Sequence, residues 1–374
     1  MLPPSFKLRP SAAATWVMCN AAPSMWAALP EDRPELDNDA ALEGTAAHWC
    51  ASELVLGRLP IAGMTHPNGV VIDDAMIEHA HEYRDIVAAW NMPLCVEQYL
   101  TIPDIYPIFG GTPDAWGFDR ATATIRVIDY KYGFQLVEPF ENWQLLCYVS
   151  GIITQLQLDG YLDQMYTVEF YVFQPRAAHV DGYLRSWKTT AANLRPFFNK
   201  LQMAAEKVYG RNPIAVTGTQ CRYCDARHRC TVLQQSGYVA VQMAQEPDTF
   251  DLNINQAGRE LLQIEAAIEI LKSRRTGLEG QLMHALSAGN VSPHFTLDRV
   301  KCRTKWIDGT ESTVLSMGEI LGIDLAKPRE PISPTQARKK NIDDSVINLY
   351  SITPIGEQKL VRLSTLKTRK LFER

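Results

Sequence analysis

The sequence contains no apolar run that approaches the 18 or so residues of a membrane span. Its N-terminal segment, MLPPSFKLRPSAAATW, lacks the uninterrupted apolar centre of a signal peptide. It also has no low-complexity tract and no repeat of fixed period, which argues against the disordered and solenoid classes. These absences predict a cytoplasmic protein that does not enter a membrane.

What is present is an ordinary globular composition with an uneven charge. The chain has 374 residues, of which 46% are hydrophobic and 21% charged, so it can bury a sizeable core. The formal net charge is −5, yet from residue 301 onward 14 Lys and Arg stand against 9 Asp and Glu. A basic C-terminal part is compatible with phosphate binding, although a solvated surface is the commoner cause of such an excess.

The hydrophobic pattern predicts an α/β domain over residues 1–237. Helical periods and short runs of branched or aromatic residues alternate, and Pro and Gly separate them. The predicted elements are helices at 39–57 and 72–90, strands at 94–102, 111–119 and 124–130, a helix at 138–157, strands at 165–174 and 182–189, and a helix at 190–209. The first three strands are expected to lie side by side.

Residues 238–374 differ in character and are predicted to form a mainly helical accessory region. Residues 254–290 read as one long helix, or as two helices broken near Gly277. A strand near 294–306 and short helices around 312–321 and 334–349 are expected to follow. The candidates for gripping DNA or a partner are Arg338, Lys339, Lys340, Lys367, Arg369 and Lys370, with a solvated surface as the alternative.

Two acids and a lysine stand where neighbouring strands begin and end. Asp114 follows a GGT turn, and Asp129 and Lys131 lie two residues apart at the end of the next strand, which places them on one face. An antiparallel neighbour would bring Asp114 opposite Asp129, where like charges destabilise the sheet unless a cation lies between them. A hard cation such as Mg²⁺ prefers such carboxylates. An ordinary ion pair at a strand end is the competing interpretation.

The cysteines suggest a second metal site. Cys221, Cys224 and Cys230 have the spacing C-x2-C-x5-C, which supplies three thiolate ligands from one loop. Both a tetrahedral zinc and an iron–sulfur cluster need a fourth ligand, and His228 within the loop could complete a zinc site. The remaining cysteines without partner spacing are expected to be small core residues: Cys50, Cys95, Cys147 and Cys302.

Four short motifs in a fixed order then carry a resemblance to a known family. They are GTAAH (44–48), GTPD (111–114), DYK (129–131) and QLLCY (144–148). Together they resemble the GTxxH, G-x-x-D, D-x-K and QxxxY motifs of the RecB-like branch of the PD-(D/E)XK nuclease superfamily. The resemblance implies a restriction-endonuclease-like αβββαβ core, in which a central mixed sheet is flanked by helices.

The resemblance also implies roles for individual residues. A Mg²⁺ or Mn²⁺ ion would be bound by the side chains of His48, Asp114 and Asp129 and by the backbone carbonyl of Tyr130. Lys131 would assist the nucleophilic water. Gln144 and Tyr148, four residues apart on one helical face, would contact this lysine or the DNA backbone. Glu97 is a candidate for a supporting role behind the ligands.

The cysteine spacing fits the same comparison. RecB-like nucleases with an iron–sulfur cluster, such as AddB and the CRISPR adaptation nucleases, take one cysteine before the nuclease core and three after it. Cys19 matches the first position, so the resemblance implies a 4Fe–4S cluster on Cys19, Cys221, Cys224 and Cys230. Zinc with His228 stays open as the alternative.

The expected function is a metal-dependent DNA nuclease, with exonuclease action as the expected mode. Similarity to uncharacterised phage and prophage proteins implies DNA recombination or processing in the cytoplasm of a bacterial host, with a recombination or single-strand-annealing protein as an open partner. Two alternatives remain: a catalytically silent DNA-binding or scaffold protein with a nuclease fold, and a zinc-stapled module that binds nucleic acid. The pattern does not decide the oligomeric state.

Overall fold

A mixed β-sheet flanked by helices forms the centre of the computed structural model. The structure describes residues 6–30, 38–158, 160–245 and 253–297, together with Thr313, Ser316, Ile320 and Ser345. The chain divides into two compact units, Met1–Asp298 and Arg299–Arg374. The elements below all belong to the first unit.

Seven strands are present in the described part of the chain. They are β1 (Leu94–Val96), β2 (Leu100–Thr101), β3 (Gly110–Gly111), β4 (Ala115–Asp119), β5 (Thr124–Tyr130), β6 (Thr167–Phe173) and β7 (Leu184–Thr190). Five of them form one sheet in the order β1-β4-β5-β6-β7, and β2 and β3 pair separately. Strands β5 and β6 are parallel, whereas the other neighbours in the large sheet are antiparallel.

Helices pack on both faces of this sheet, and the described part of the chain contains eight α-helices. They are α1 (Ala13–Met18), α2 (Ala22–Ala27), α3 (Asn38–Val55), α4 (Asp74–Ala88), α5 (Trp143–Gln155), α6 (Ala191–Tyr209), α7 (Thr231–Gln245) and α8 (Ile254–Ser287). Alternate residues of β5 serve two cores, because successive side chains of a strand point to opposite faces. Ile125 and Val127 belong to the core that contains α5 and α6, and Ile128 and Tyr130 to the core that contains α3 and α4.

The prediction of an α/β fold with a mixed sheet flanked by helices is confirmed. Strands β1, β4 and β5 lie side by side as expected. The predicted strand 94–102 is interrupted, however, because Glu97 has a φ of 48°, in the left-handed region that ends a regular strand. The predicted helix 138–157 begins only at Trp143, where the Asn142 side chain accepts hydrogen bonds from two backbone N–H groups of the first turn. Helices α1, α2 and α7 were not predicted.

The accessory region starts differently from the prediction. Helix α7 runs through the predicted boundary after residue 237, and the unit that holds the sheet extends to Asp298. Helix α8 is continuous through Gly277. A Cβ there would lie 3.0 Å from the backbone of Arg227, so the glycine allows close packing rather than a break. Residues 294–297 are described without a strand.

Several predictions fall outside the described residues. Within the helices expected at 312–321 and 334–349, only the four single positions named above are described, and they are helical. The six basic candidates of the C-terminal region and Cys302 lie outside the described residues, so their roles stay predictions.

Candidate functional site

Three carboxylates lie in a row across three neighbouring strands. In the β4–β5 pair, Ala115 stands opposite Ile128, so the next residues outward, Asp114 and Asp129, are opposite each other. On the other side of β4, the backbone N–H of Glu97 donates to the Asp114 carbonyl at 3.1 Å. The antiparallel arrangement of Asp114 and Asp129 expected from the sequence is therefore present.

Helix α3 delivers His48 to this row. Its Nδ1 lies 3.2 Å from Asp114 Oδ1, while Asp114 Oδ2 accepts a hydrogen bond of 2.6 Å from the Tyr130 backbone N–H. The imidazole stacks on the Tyr130 ring at 5.2 Å between centroids, and Tyr83 stacks against the same tyrosine at 5.3 Å. The stacked rings of Tyr130 and Tyr83 thus fix the orientation of the histidine. Both carboxylate oxygens of Asp114 have hydrogen-bond partners.

Glu97 joins this pair more closely than its expected supporting role suggests. Among the described His, Cys, Asp and Glu side chains, His48, Glu97 and Asp114 form the group of three whose ligand atoms all lie within 4.8 Å of one another. Glu97 as a residue is exposed, but partial desolvation of its carboxylate, with the negative charge of Asp114, raises the pKa of Glu97 to about 7. The left-handed backbone conformation of Glu97 is uncommon for a residue other than glycine. Strained conformations of this kind are concentrated at functional sites. The conformation at Glu97 brings this carboxylate to the potential ligands.

Lys131, Asp129 and Gln144 form a second, connected group. The Lys131 ammonium donates to Asp129 Oδ1 at 2.9 Å and to Gln144 Oε1 at 3.1 Å. Gln144 Nε2 in turn donates to Asp129 Oδ1 at 2.9 Å and to Tyr148 Oη at 3.4 Å. The Gln144 amide can take only this orientation, because the flipped amide would set its NH₂ against the ammonium and its oxygen against the carboxylate.

Helix α5 positions Gln144 for this task. Asn142 precedes the helix, and its side chain accepts hydrogen bonds from the backbone N–H groups of Gln144 and Leu145. Such an N-cap fixes the first helical turn, from which the Gln144 side chain reaches the end of β5. Tyr148 lies one turn further along and is almost fully buried. The four residues of the D-x-K and QxxxY motifs are therefore brought together.

The charges at the site offset one another only in part. Burial raises the pKa of Asp129, and although the Lys131 charge opposes this rise, the pKa stays above its usual range. Burial lowers the pKa of His48, but the charge of Asp114 and the hydrogen bond to it outweigh that effect and leave the pKa raised. Burial also raises the pKa of Asp114, and the His48 charge and hydrogen bond reverse this, so the pKa is lowered. A bound cation would therefore stabilise the ionised form of Asp129.

Two observations test whether a hard divalent cation fits. Asp129 is 1% exposed, and its Oδ2, although 2.9 Å from Lys131 Nζ, accepts no well-aligned hydrogen bond. The Lys131 N–H donates to the Phe173 carbonyl on β6, and in a trans peptide the preceding carbonyl points the opposite way. The Tyr130 carbonyl is thereby directed away from β6, to the side of Asp114. Carboxylates, an imidazole and a carbonyl are a donor set that Mg²⁺ or Mn²⁺ accepts.

A separate cavity gathers the cysteines from the two ends of the domain. It is lined by Cys19, at the end of α1, and by Cys221, Cys224 and Cys230, from the loop that precedes α7. Arg227 also lines it and is almost fully buried. The sequence trio and Cys19 therefore meet around one cavity, across roughly 200 residues of chain.

N–H donors are directed at three of these sulfurs. The indole Nε1 of Trp26 donates to Cys224 Sγ at 3.4 Å, the Val216 N–H to Cys19 Sγ at 3.5 Å and the Leu233 N–H to Cys230 Sγ at 3.4 Å. Burial raises the pKa of Cys221, and burial raises that of Cys224 to about 11. Burial therefore disfavours the thiolate forms of Cys221 and Cys224, which a bound cation would stabilise, and the N–H groups are placed to donate to the sulfurs.

The spacing of the sulfurs bears on which metal group fits. In a tetrahedral zinc site with bonds of about 2.3 Å, sulfur ligands lie about 3.8 Å from one another. No three of the described cysteines meet the 4.8 Å limit that His48, Glu97 and Asp114 meet. His228, the alternative zinc ligand, is not among the residues that line the cavity, and its Nδ1 lies 3.1 Å from the Asp225 carbonyl. In any three of these sulfurs, at least one pair is therefore farther apart than 4.8 Å, wider than the ligands of a single tetrahedral zinc ion.

The other described cysteines do not line this cavity. Cys50 and Cys147 are fully buried, each in one of the two cores, and Cys95 is half-buried beside the core that contains Cys147. Their positions agree with the prediction that these thiols fill space. Trp26, by contrast, donates to the sulfur of Cys224, and no spacing signal in the sequence pointed to it.

Comparison with known proteins adds the family. The family model described as "Protein of unknown function (DUF2800)" matches residues 6–364. The chain belongs to this family. The DUF2800 match includes both the acid site and the cysteine cavity, but its description assigns no reaction. No curated protein matches this DUF2800 chain. Among the described helices, none combines the length and the apolar character that crossing a membrane requires.

Proposed function

We propose that this DUF2800 chain is a metal-dependent DNA nuclease with a restriction-endonuclease-like core. The observation that carries the proposal is the row of Glu97, Asp114 and Asp129 at one end of the sheet, with His48 and Lys131 beside it. Hydrolysis of a phosphodiester needs a group that holds the phosphate, an activated water and stabilisation of the negative charge that develops. The row and its two basic neighbours supply positions for each.

His48, Asp114, Asp129 and the Tyr130 carbonyl would hold the Mg²⁺ or Mn²⁺ ion, with Glu97 as a further ligand. When bound, such an ion lowers the pKa of water and neutralises phosphate charge. His48 would bind as the neutral imidazole, so the imidazolium form would release one of its two N–H protons on binding. The Tyr130 ring would keep the imidazole plane fixed during this exchange.

Lys131 would act on the water and on the phosphate. An ammonium has three donors, of which two are directed at Asp129 and Gln144. The third is available for the attacking water or for a phosphate oxygen, whose negative charge grows in the transition state. Gln144 would hold the lysine and Asp129 at a fixed separation. Tyr148 would fix Gln144 in turn, by accepting a hydrogen bond from its amide.

The cysteine cavity would serve as a structural clasp with a 4Fe–4S cluster. Cys19, Cys221, Cys224 and Cys230 would be its ligands, and the buried Arg227 would offset part of the negative charge of the thiolates. Closing a loop of about 200 residues removes much of the conformational freedom of the unfolded chain. The cluster would in this way tie α1 to the loop that precedes α7. A role in phage DNA recombination rests on the family resemblance alone.

Degradation of labelled DNA in Mg²⁺ or Mn²⁺ tests the proposal. Anaerobically purified protein is incubated with single- and double-stranded DNA that carries a 5′ or a 3′ label, which also gives the polarity and the exo or endo mode. The Lys131→Ala variant should lose about 10²- to 10⁴-fold in rate with an unchanged unfolding midpoint. Lys272→Ala is the matched control, because Lys272 also pairs with an acid but lies on the exposed side of α8.

The two alternatives predict different results. A silent DNA-binding protein would bind the labelled DNA and leave it intact with both metals, and this result would overturn the proposal. Equal rates for Lys131→Ala and the wild type would point to a contaminating nuclease. Iron and sulfide analysis separates the cluster from zinc, and a zinc content of one per chain without iron would overturn the 4Fe–4S assignment.

A further inference from the structure

The loop that follows the D-x-K motif exposes apolar side chains beside the acid site. Phe134 is 68% exposed, and Leu136 and Phe140, further along the loop, are 45% and 36% exposed. Phe134 comes three residues after Lys131, so its Cα lies within about 11 Å of that of the lysine. Single exposed apolar residues are ordinary, but three in seven residues next to a polar site call for a physical reason.

Two buried polar side chains hold this loop in place. Gln174, fully buried, donates to the carbonyls of Gly133 and Gln135 at 2.9 and 2.6 Å and accepts from the Val137 N–H at 3.1 Å. Arg185, also buried, donates to the Val137 carbonyl and to Gln174 Oε1, both at 2.7 Å. Burying a guanidinium and an amide is costly unless they are hydrogen-bonded, and here the hydrogen bonds fix the loop backbone. Phe134 is therefore presented in a set position.

The Phe134 ring is itself the end of a stack. The Arg176 guanidinium lies 4.2 Å from the Phe134 centroid and 4.6 Å from the centroid of the buried Tyr132. Glu43 on α3, five residues before His48, pairs with Arg176 at 2.6 Å. Because Arg176 already has a carboxylate partner, it is poorly suited to bind a phosphate. Its role is to support one face of the Phe134 ring by a cation–π contact.

A supported aromatic ring that offers its other face to solvent is suited to bind another flat π-system. Bases of single-stranded nucleic acid stack on such rings without regard to sequence, whereas the bases inside a duplex are stacked on one another and are not available. A protein surface would bury Leu136 and Phe140 as well, but it would not need a ring held by a cation. The arrangement thus favours an unpaired base.

We infer that Phe134 is a stacking platform for an unpaired nucleobase of the DNA strand that enters the acid site. The proposed substrate class is therefore single-stranded DNA, or a duplex end whose terminal bases have separated. The inference rests on the proposed nuclease function for its substrate, but the stacking contact can be measured without cleavage.

Fluorescence of 2-aminopurine tests the contact directly, because this base is quenched when it stacks. A single-stranded oligonucleotide with 2-aminopurine at successive positions is titrated with protein in Ca²⁺, a hard cation that takes the same oxygen ligands. Wild type and Phe134→Trp should quench the probe at one position. Phe134→Ala and Phe134→Leu should abolish the quenching and weaken single-strand binding by roughly 5- to 150-fold, with duplex binding unchanged. Phe295→Ala removes an equally exposed ring, 61% exposed, and is the control.

Each other result decides a different point. Equal quenching by wild type and Phe134→Ala would overturn the stacking inference even if DNA is degraded, and it would favour a protein contact for the exposed ring. Equal losses on single-stranded and duplex DNA would overturn the proposed substrate class. Quenching that depends on Phe134 in a protein that degrades no DNA would support the stacking platform and overturn the nuclease proposal. Because Phe134 is exposed, its substitution is expected to leave the fold intact, and circular dichroism of the variants checks this.

Discussion

The acid site and the cysteine cavity are assembled in opposite ways. The acid site takes its groups from neighbouring strand ends of one sheet and from the helices α3 and α5, and its charges already pair with one another, as His48 does with Asp114 and Lys131 with Asp129. The cysteine cavity joins residues about 200 apart in the chain, and three of its four sulfurs accept hydrogen bonds from N–H groups.

This difference separates the expected consequences of mutation. The acid site holds itself together through hydrogen bonds and aromatic packing, so a lost ligand should impair chemistry and leave the fold intact. In the cysteine cavity, burial disfavours the thiolate form of Cys224, which the proposed cluster would stabilise. Loss of a ligand of that cluster is therefore expected to impair the fold.

The largest effect is expected at Cys224, whose sulfur lines the cavity. Structural metal sites contribute free energy of folding on the order of 10 kcal/mol, so Cys224→Ser should lose most of the bound metal and unfold at a markedly lower temperature. Iron and sulfide content and the unfolding midpoint by circular dichroism are the measurements. Cys95→Ser, a half-buried thiol outside the cavity, should keep both values. Full metal content in Cys224→Ser would remove the distinction between the two regions.

The sequence alone accounts for much of both regions, for a physical reason. Strict alternation along β5 places Asp129 and Lys131 on one face, and an antiparallel neighbour then brings Asp114 opposite Asp129. Helical spacing brings Gln144 and Tyr148 together. These features depend on local periods, which are visible in a single chain. The association of Cys19 with the later trio came from the family resemblance and not from a period.

What sequence reasoning missed depends on tertiary contacts. The left-handed backbone of Glu97, which ends β1 and turns its carboxylate to His48, has no glycine or asparagine to announce it. Trp26 reaches Cys224 across 198 residues, and Gln174 holds a loop that begins 41 residues before it. No short-range pattern encodes such partners, because each is selected by the three-dimensional packing of distant segments.

A smaller effect is expected at Gln144, which connects Lys131 to Asp129. Gln144→Leu keeps the size of the side chain but removes the amide that accepts from the lysine and donates to the carboxylate. Groups that orient metal ligands typically contribute 10- to 100-fold, so cleavage should slow by about that factor. Gln202→Leu, an exposed glutamine on α6, should cleave as the wild type does. Equal rates for both variants would show that Lys131 is positioned without the amide.

An effect smaller than that at Gln144 is expected at Trp26. Trp26→Phe keeps the apolar ring but removes the N–H that donates to Cys224 Sγ at 3.4 Å. The loss should be about 1 kcal/mol, seen as faster removal of the metal by a chelator at an unchanged initial content. Trp16→Phe is a matched control, because it also removes an indole hydrogen bond from a buried tryptophan, here to the Arg9 carbonyl at 3.1 Å. Equal chelation rates in the two variants would show that the cavity gains nothing from this N–H.

The smallest effect on stability is expected at Gly44. The same position tests whether the open side of the acid site, next to this turn of α3, admits DNA. It lies inside α3, one turn before His48, and a Cβ there would meet no described atom within 4 Å. A helix-interior glycine costs about 0.5–1 kcal/mol relative to alanine, so Gly44→Ala should raise the free energy of unfolding by that amount. If the open side admits the DNA backbone, the same substitution should slow cleavage. Gly258→Ala in α8 is the control, because a Cβ there meets equally open space, and it should raise stability without slowing cleavage. Equal cleavage rates in the two variants would mean that DNA does not approach α3 at this turn.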